Sequence, residues 1–193
     1  MTGLIWSFSP WFVFLVVNRF ATLEDAVACA VAAAIVVVGR AVLQNHVHLL
    51  DVASIVYFVA LLVVVQAANS SSQRDISNYA QAGAHIALAL IVFGSIVLGH
   101  PFTESYARET VPREYWDTRQ FHQTNRIISA AWGLAFVIGS ISLVVAANTD
   151  SRPVLLRILI PFGALYWAYT YTDKKRKAPD PSQPKADTSQ RMG

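Results

Sequence analysis

Long apolar runs separated by short polar breaks set the pattern of this chain. The runs fall at about residues 4–20, 22–40, 51–66, 77–99, 118–147 and 153–172. Each approaches the roughly 20 residues that a helix needs to cross a hydrocarbon core. The pattern predicts an all-α fold, a polytopic transmembrane helical bundle of six spans. The count drops to five if the first run, short and interrupted by Ser7, Ser9 and Pro10, is re-entrant. In that run Trp6 and Trp11 are expected near one interface and Arg19 near the other.

The breaks carry start and stop signals. Thr22 is placed to cap the second helix, with Glu24 and Asp25 in its first turn, the charge that a helix N-terminus favours. Asp51 opens the third run after a polar connection of Gln44, Asn45, His46 and His48. Residues 69–75 read as a loop, and Asn69-Ser70-Ser71 matches a glycosylation sequon. Gly99 followed by Pro101 stops the fourth run, Gly supplying a turn and Pro unable to continue a helix. Asp117 with Gln120 resembles a capping box for the fifth helix. Ala131, Ala135 and Gly139 recur every four positions along that helix, a groove predicted to face another helix rather than lipid. Pro161 and Gly163 predict a kink in the last run.

The stretch His100 to Arg126 is the longest polar interior segment. Residues 103–110 are expected to form one short helix. Phe102, Tyr106, Tyr115, Trp116 and Phe121 alternate there with Arg108, Arg113 and Arg119, a mixture that suits an interfacial segment against lipid headgroups. The domain plan is a transmembrane helical domain over 1–172, with an interfacial loop at 100–123, and a disordered basic tail over 173–193.

Composition agrees: 54% of residues are hydrophobic and 14% charged, against roughly 25% charged in soluble domains. Arg and Lys are unevenly spread. Arg40, Arg108, Arg113, Arg119, Arg126 and six tail residues, eleven in all, fall on the side shared by the termini and the central loop. Four, Arg19, Arg74, Arg152 and Arg157, fall on the other. That bias predicts a multi-pass protein with both termini and the central loop cytoplasmic. The same aromatics and arginines can stack nucleobases, but no nucleic acid is expected beside so many spans. The single Cys29 rules out an internal disulfide and is expected buried in its alanine-rich run.

No phosphate loop, nucleophile elbow or paired-carboxylate motif appears. His46, His48, His100 and His122 lie near the cytoplasmic interface and His85 stands apart. They are read as solvated or hydrogen-bonded, with no metal and no cofactor. The candidate binding residues are Tyr106, Arg108, Glu109, Trp116, Asn125 and Arg126, at the ends of the fourth and fifth spans. An Arg126–Glu109 pair is expected to fix the loop, with Asn125 bonding the loop backbone, so that Tyr106 and Trp116 face headgroups or a partner. Two functions stay open. One is a non-enzymatic protein binding partners or anionic lipid through its cytoplasmic face, with membrane proteins or a second copy as partners beside the bilayer itself. The other is a small-molecule transporter, suggested by Asn78, Gln81 and His85 in the fourth run.

The order of spans, the phrase Ser9-Pro10-Trp11-Phe12-Val13-Phe14 and the Pro101-Phe102 loop resemble the intracellular septation protein A family of the bacterial inner membrane. Asn125-Arg126 and Trp132 recur near the fifth helix as in that family, with the Trp displaced by about one turn. Pro101-Phe102-Thr103, Tyr106-Ala107-Arg108-Glu109 and Val111-Pro112 look still more like uncharacterised actinobacterial membrane proteins. The resemblance covers about residues 9–172 as architecture. It implies an association with the cell envelope and transfers no catalytic residue.

Overall fold

The computed structural model describes residues 2–149 and 154–177. Within them the chain forms seven α-helices: α1 Thr2–Phe20, α2 Leu23–Leu43, α3 Leu49–Ala67, α4 Ser70–Val97, the short α5 Thr103–Ala107, α6 Arg119–Ala147 and α7 Ile160–Lys177. No strand occurs among the described residues. Helices α1, α2, α3, α4 and α6 are long and apolar enough to cross a membrane. Helix α7 ends in Asp173, Lys174, Lys175, Arg176 and Lys177, which lowers its hydropathy, yet it packs along α6 over much the same length. Ser142 Oγ donates to the Leu156 carbonyl at 2.7 Å and Trp132 Nε1 to Thr172 Oγ1 at 3.0 Å, which fixes the two as antiparallel neighbours. Of the tail expected to be disordered over 173–193, residues 173–177 continue α7 as helix and 178–193 lie outside the described residues, as does Pro153, the predicted start of the last span.

Proline governs two of these helices, by different devices. Pro10 has no N–H to offer the Trp6 carbonyl one turn back. The Ser9 hydroxyl donates to that carbonyl instead, at 2.7 Å, and α1 runs unbroken. The first run is therefore one continuous helix, long and apolar enough to cross a membrane. Pro161 likewise has no N–H to give one turn back, and there the chain widens to a π-helical turn over Leu155–Leu159. The Ile160 N–H reaches Leu155 O, five residues back, in place of the four of an α-helix. Where the sequence predicts a kink at Pro161 and Gly163, the structure has this π-helical turn just before Pro161.

Caps fix the starts. Thr22 Oγ1 accepts from the Asp25 N–H at 3.1 Å, as the sequence predicts. The fifth span is capped by Thr118, which accepts from Phe121 N–H at 3.2 Å; Asp117, expected to cap it, does not. Asn69 of the sequon caps α4 by accepting from Ser72 N–H at 2.9 Å. That cap makes the polar stretch after it helical, so α4 begins at Ser70 and not at about 77.

The interior is built from small and aromatic side chains, while Phe20, Leu43, Leu90 and Val97 are among the large apolar residues left outside. Such an exterior suits lipid, where helices meet through close packing and hydrogen bonds and gain nothing from hiding apolar surface. Phe8 stacks on Trp132 at 5.3 Å between centroids. Trp11, expected at an interface, is buried and donates from Nε1 to Ser54 Oγ at 2.7 Å. Cys29, expected inside, is exposed: the buried stripe of α2 runs through Ala26, Ala30 and Ala34, and position 29 lies off it.

The predicted groove on α6 does face a helix. Ala131, Ala135 and Gly139 are buried, and α6 packs along α4. A Cβ at Gly139 would stand 2.5 Å from His85 Cδ2, whereas one at Gly94 would meet nothing within 4 Å. Gly139→Leu should therefore lower stability in detergent by about 1–3 kcal/mol through overpacking, with Gly139→Ala already measurable and Gly94→Ala within about 0.5 kcal/mol of the parent. Melting curves that place Gly139→Leu level with Gly94→Ala would show that the groove tolerates filling.

Candidate functional site

The loop end of the bundle is organised by α5. Gly99, at φ +80°, reverses the chain and Pro101 starts it down again. Phe102 N–H donates to Ser95 Oγ at 3.0 Å, and the Thr103 hydroxyl donates to the Asn125 carbonyl at 3.0 Å while touching Ser129 Oγ at 2.9 Å. These bonds strap α5 between α4 and α6. Phe102 and Tyr106 are therefore buried, contrary to the expectation that this segment lies on headgroups and presents Tyr106 to them. Only the second half of the loop stays outside, where Arg108 and Arg113 stand 5.2 and 5.5 Å from the ring of Trp116.

Directly after α5, Glu109 meets the connection between α2 and α3. His48 Nε2 donates to Glu109 Oε1 at 2.9 Å, and the His48 ring stacks on Tyr106 at 4.1 Å. The His48 N–H donates to Asp51 Oδ2 at 2.9 Å, so Asp51, third residue of α3, reaches back over the helix start as in a capping box. Glu109 also lies over the first turn of α1: a Cβ on Gly3 would stand 3.0 Å from Oε2. Arg176 near the end of α7 feels the same carboxylate; burial pulls its guanidinium below its ordinary range and Glu109 opposes that pull. The start of α1, the end of α7, the α2–α3 connection and the loop after α5 thus share one end of the bundle. That arrangement fits six passes.

Beside these groups lies a cavity of about 550 Å³, lined by Trp6, Arg40, His46, His48, Asp51 and Glu109 among others. Asp51 is 1% exposed and its Oδ1 has no hydrogen-bond partner, and neither has His48 Nδ1. Arg40 lies over the Trp6 ring at 4.6 Å. Burial pushes the Tyr106 phenol well above its ordinary value; the Ser7 hydroxyl opposes this, and the charges of Asp51 and Glu109 add to it.

The structure divides the six predicted residues. Tyr106 and Glu109 join the network beside the cavity. Arg108 and Trp116 form the outer rim, Arg108 also lying 3.8 Å from Glu104 and Trp116 Nε1 donating to Val111 O at 2.8 Å. Asn125 is buried and structural, its amide donating to Phe121 O at 2.9 Å; only its main-chain carbonyl reaches the loop. Arg126 is exposed and forms no ion pair among the described residues. The expected Arg126–Glu109 pair is replaced by His48–Glu109, and the carboxylate buried nearest α6 is Glu104, which contacts His122 Nδ1. Sequence reasoning missed Arg40, His48 and Asp51. Three titratable groups within residues 46–51 at the start of an apolar helix were the signal available. Among the described residues no group of three His, Cys, Asp or Glu is placed to hold a metal ion.

Fold and site together define a class: an all-α bundle with helices of bilayer-crossing length and a polar cavity at its loop end. No protein-family profile, curated protein sequence or solved structure matches the chain.

The state of Tyr106 gives a pH test. Its phenol stays protonated in the folded protein above the ordinary value of 10.0. The unfolded state then holds fewer protons, so this group leaves stability unchanged below pH 10 and lowers it as pH rises further. Tyr106→Phe should reduce the alkaline fall in melting temperature relative to the parent, with little effect at pH 7; superimposable pH profiles would show an accessible phenol.

Proposed function

We propose that this is a non-enzymatic integral membrane protein that binds anionic lipid headgroups through its loop-end face. The distribution of Arg and Lys favours a cytoplasmic position for that face. The resemblance to septation protein A proteins favours the bacterial inner membrane. The observation that carries the reading is the exposed rim, where Arg108 and Arg113 flank Trp116 on the end of the bundle that also holds Lys174, Lys175 and Lys177. Cations and an amphipathic ring side by side match the level of lipid headgroups.

A transporter would be favoured by polar groups of the spans converging on one cavity. Asn78 is exposed, and His85 Nδ1 bonds the Gln81 carbonyl at 3.0 Å on its own helix. One observation favours that second reading. His85 is buried about 18 Å along α4 from Val97 and about 22 Å from Ser70, close to mid-membrane, and intramembrane ionisable groups are functional sites by default.

Nanodiscs containing phosphatidylglycerol beside phosphatidylcholine test the proposal by native mass spectrometry of retained lipid. Each cation near an anionic surface is worth roughly 1 kcal/mol, so the Arg108→Gln, Arg113→Gln double variant should lose about thirtyfold in selectivity for the anionic lipid. Equal retention of both lipids by the parent would remove this function. Uptake of a small solute into vesicles that depends on His85 would install the transporter in its place.

A further inference from the structure

We infer that the cavity between α1, α2, α3 and Glu109 is a site for a primary ammonium group joined by a short linker to an anion, the chemistry of 2-aminoethyl phosphate. The inference rests on the reading of the loop end as a binding face, and it adds a ligand class that the outer rim does not select.

The inner wall carries acceptors that are not all matched by its donors. Asp51 Oδ1 is buried without a partner. His48 bonds Glu109 through Nε2, and its Nδ1 is buried beside Asp51. Glu109 is bonded through Oε1, which leaves Oε2 as a second acceptor. A buried acceptor left empty costs about as much as a lost hydrogen bond, so the fitting occupant brings several N–H donors. Two carboxylates on that wall select a cationic donor. A primary ammonium carries three N–H bonds on one compact charge. A metal ion does not fit, since no three ligating side chains surround one point among the described residues.

The mouth has the opposite character. Arg40 is exposed, lies over Trp6 and makes no ion pair among the described residues. A guanidinium in that position takes phosphate or carboxylate with paired N–H bonds. Cation-seeking wall and anion-seeking mouth line one cavity of about 550 Å³, enough for a small zwitterion. The same unit occurs as the headgroup of phosphatidylethanolamine and as a free solute.

The test uses the full chain in nanodiscs and compares phosphatidylethanolamine with phosphatidylcholine of the same acyl chains, because the choline headgroup keeps both charges and has no N–H. Native mass spectrometry should find phosphatidylethanolamine retained about tenfold over phosphatidylcholine. Asp51→Asn preserves the acceptor for the His48 N–H and should bring the ratio to within about twofold. Glu109→Gln keeps an acceptor for His48 and gives a second variant should the first fail to fold. In a separate arm, free 2-aminoethyl phosphate is added to phosphatidylcholine nanodiscs. A rise in melting temperature that Asp51→Asn abolishes would assign the site to the soluble molecule and support the same chemistry. Parent ratios within about twofold together with no thermal response to the free compound overturn the inference, as does a preference that survives both variants. If phosphatidylglycerol is still selected in that event, the rim reading stands without this one; loss of both selectivities ends the two together.

Discussion

The contact between His48 and Glu109, with the His48 ring stacked on Tyr106 beside it, holds the loop end together by joining segments 61 positions apart. Around that carboxylate the first turn of α1 finds the room that Gly3 leaves, and Arg176 of α7 finds a counter-charge. The Glu109 side chain keeps 27% of its surface exposed, so solvent screens the pair and its net contribution to stability is small. Its consequence is positional. Removing either partner would leave the other in a site with few alternatives, and a polar contact of that kind specifies arrangement more than it adds free energy.

Below this end the bundle depends on closeness. Ala26, Ala30 and Ala34 of α2, and Ala131, Ala135 and Gly139 of α6, let backbones approach where lipid removes the ordinary drive to bury apolar surface. Polar side chains inside the spans serve the same end by satisfying one another: Trp11 with Ser54, Trp132 with Thr172, Ser142 with the Leu156 carbonyl. The prolines follow this economy too, Pro10 with a neighbouring hydroxyl and Pro161 with a widened turn.

Much of the fold was legible because its signals are local. The apolar runs, the Thr22 cap, the Gly99 and Pro101 stop and the ladder on α6 act within a turn or two of themselves. Which face of each helix points inward was harder to read. In a membrane both faces are apolar, so hydrophobic periodicity loses its meaning, and Trp11 and Cys29 ended on the opposite sides from those expected. The site was half legible. Glu109 and Tyr106 were found through the unusual polarity of their segment, and Arg108 with Trp116 through the mixture of cations and aromatics. The partner of Glu109 was assigned by chain order to Arg126, when tertiary folding brings His48 instead. Chain proximity is a poor guide once a loop is strapped inward, as Thr103 straps this one to Asn125 and Ser129.

A double-mutant cycle on His48→Ala and Glu109→Ala, read by reversible unfolding in nanodiscs, tests the convergence on Glu109 most directly. The account predicts a coupling of about 1 kcal/mol between those two positions, and additivity within about 0.5 kcal/mol for Glu109→Gln with Arg126→Gln. Zero coupling in the first cycle, or a comparable coupling in the second, would contradict it.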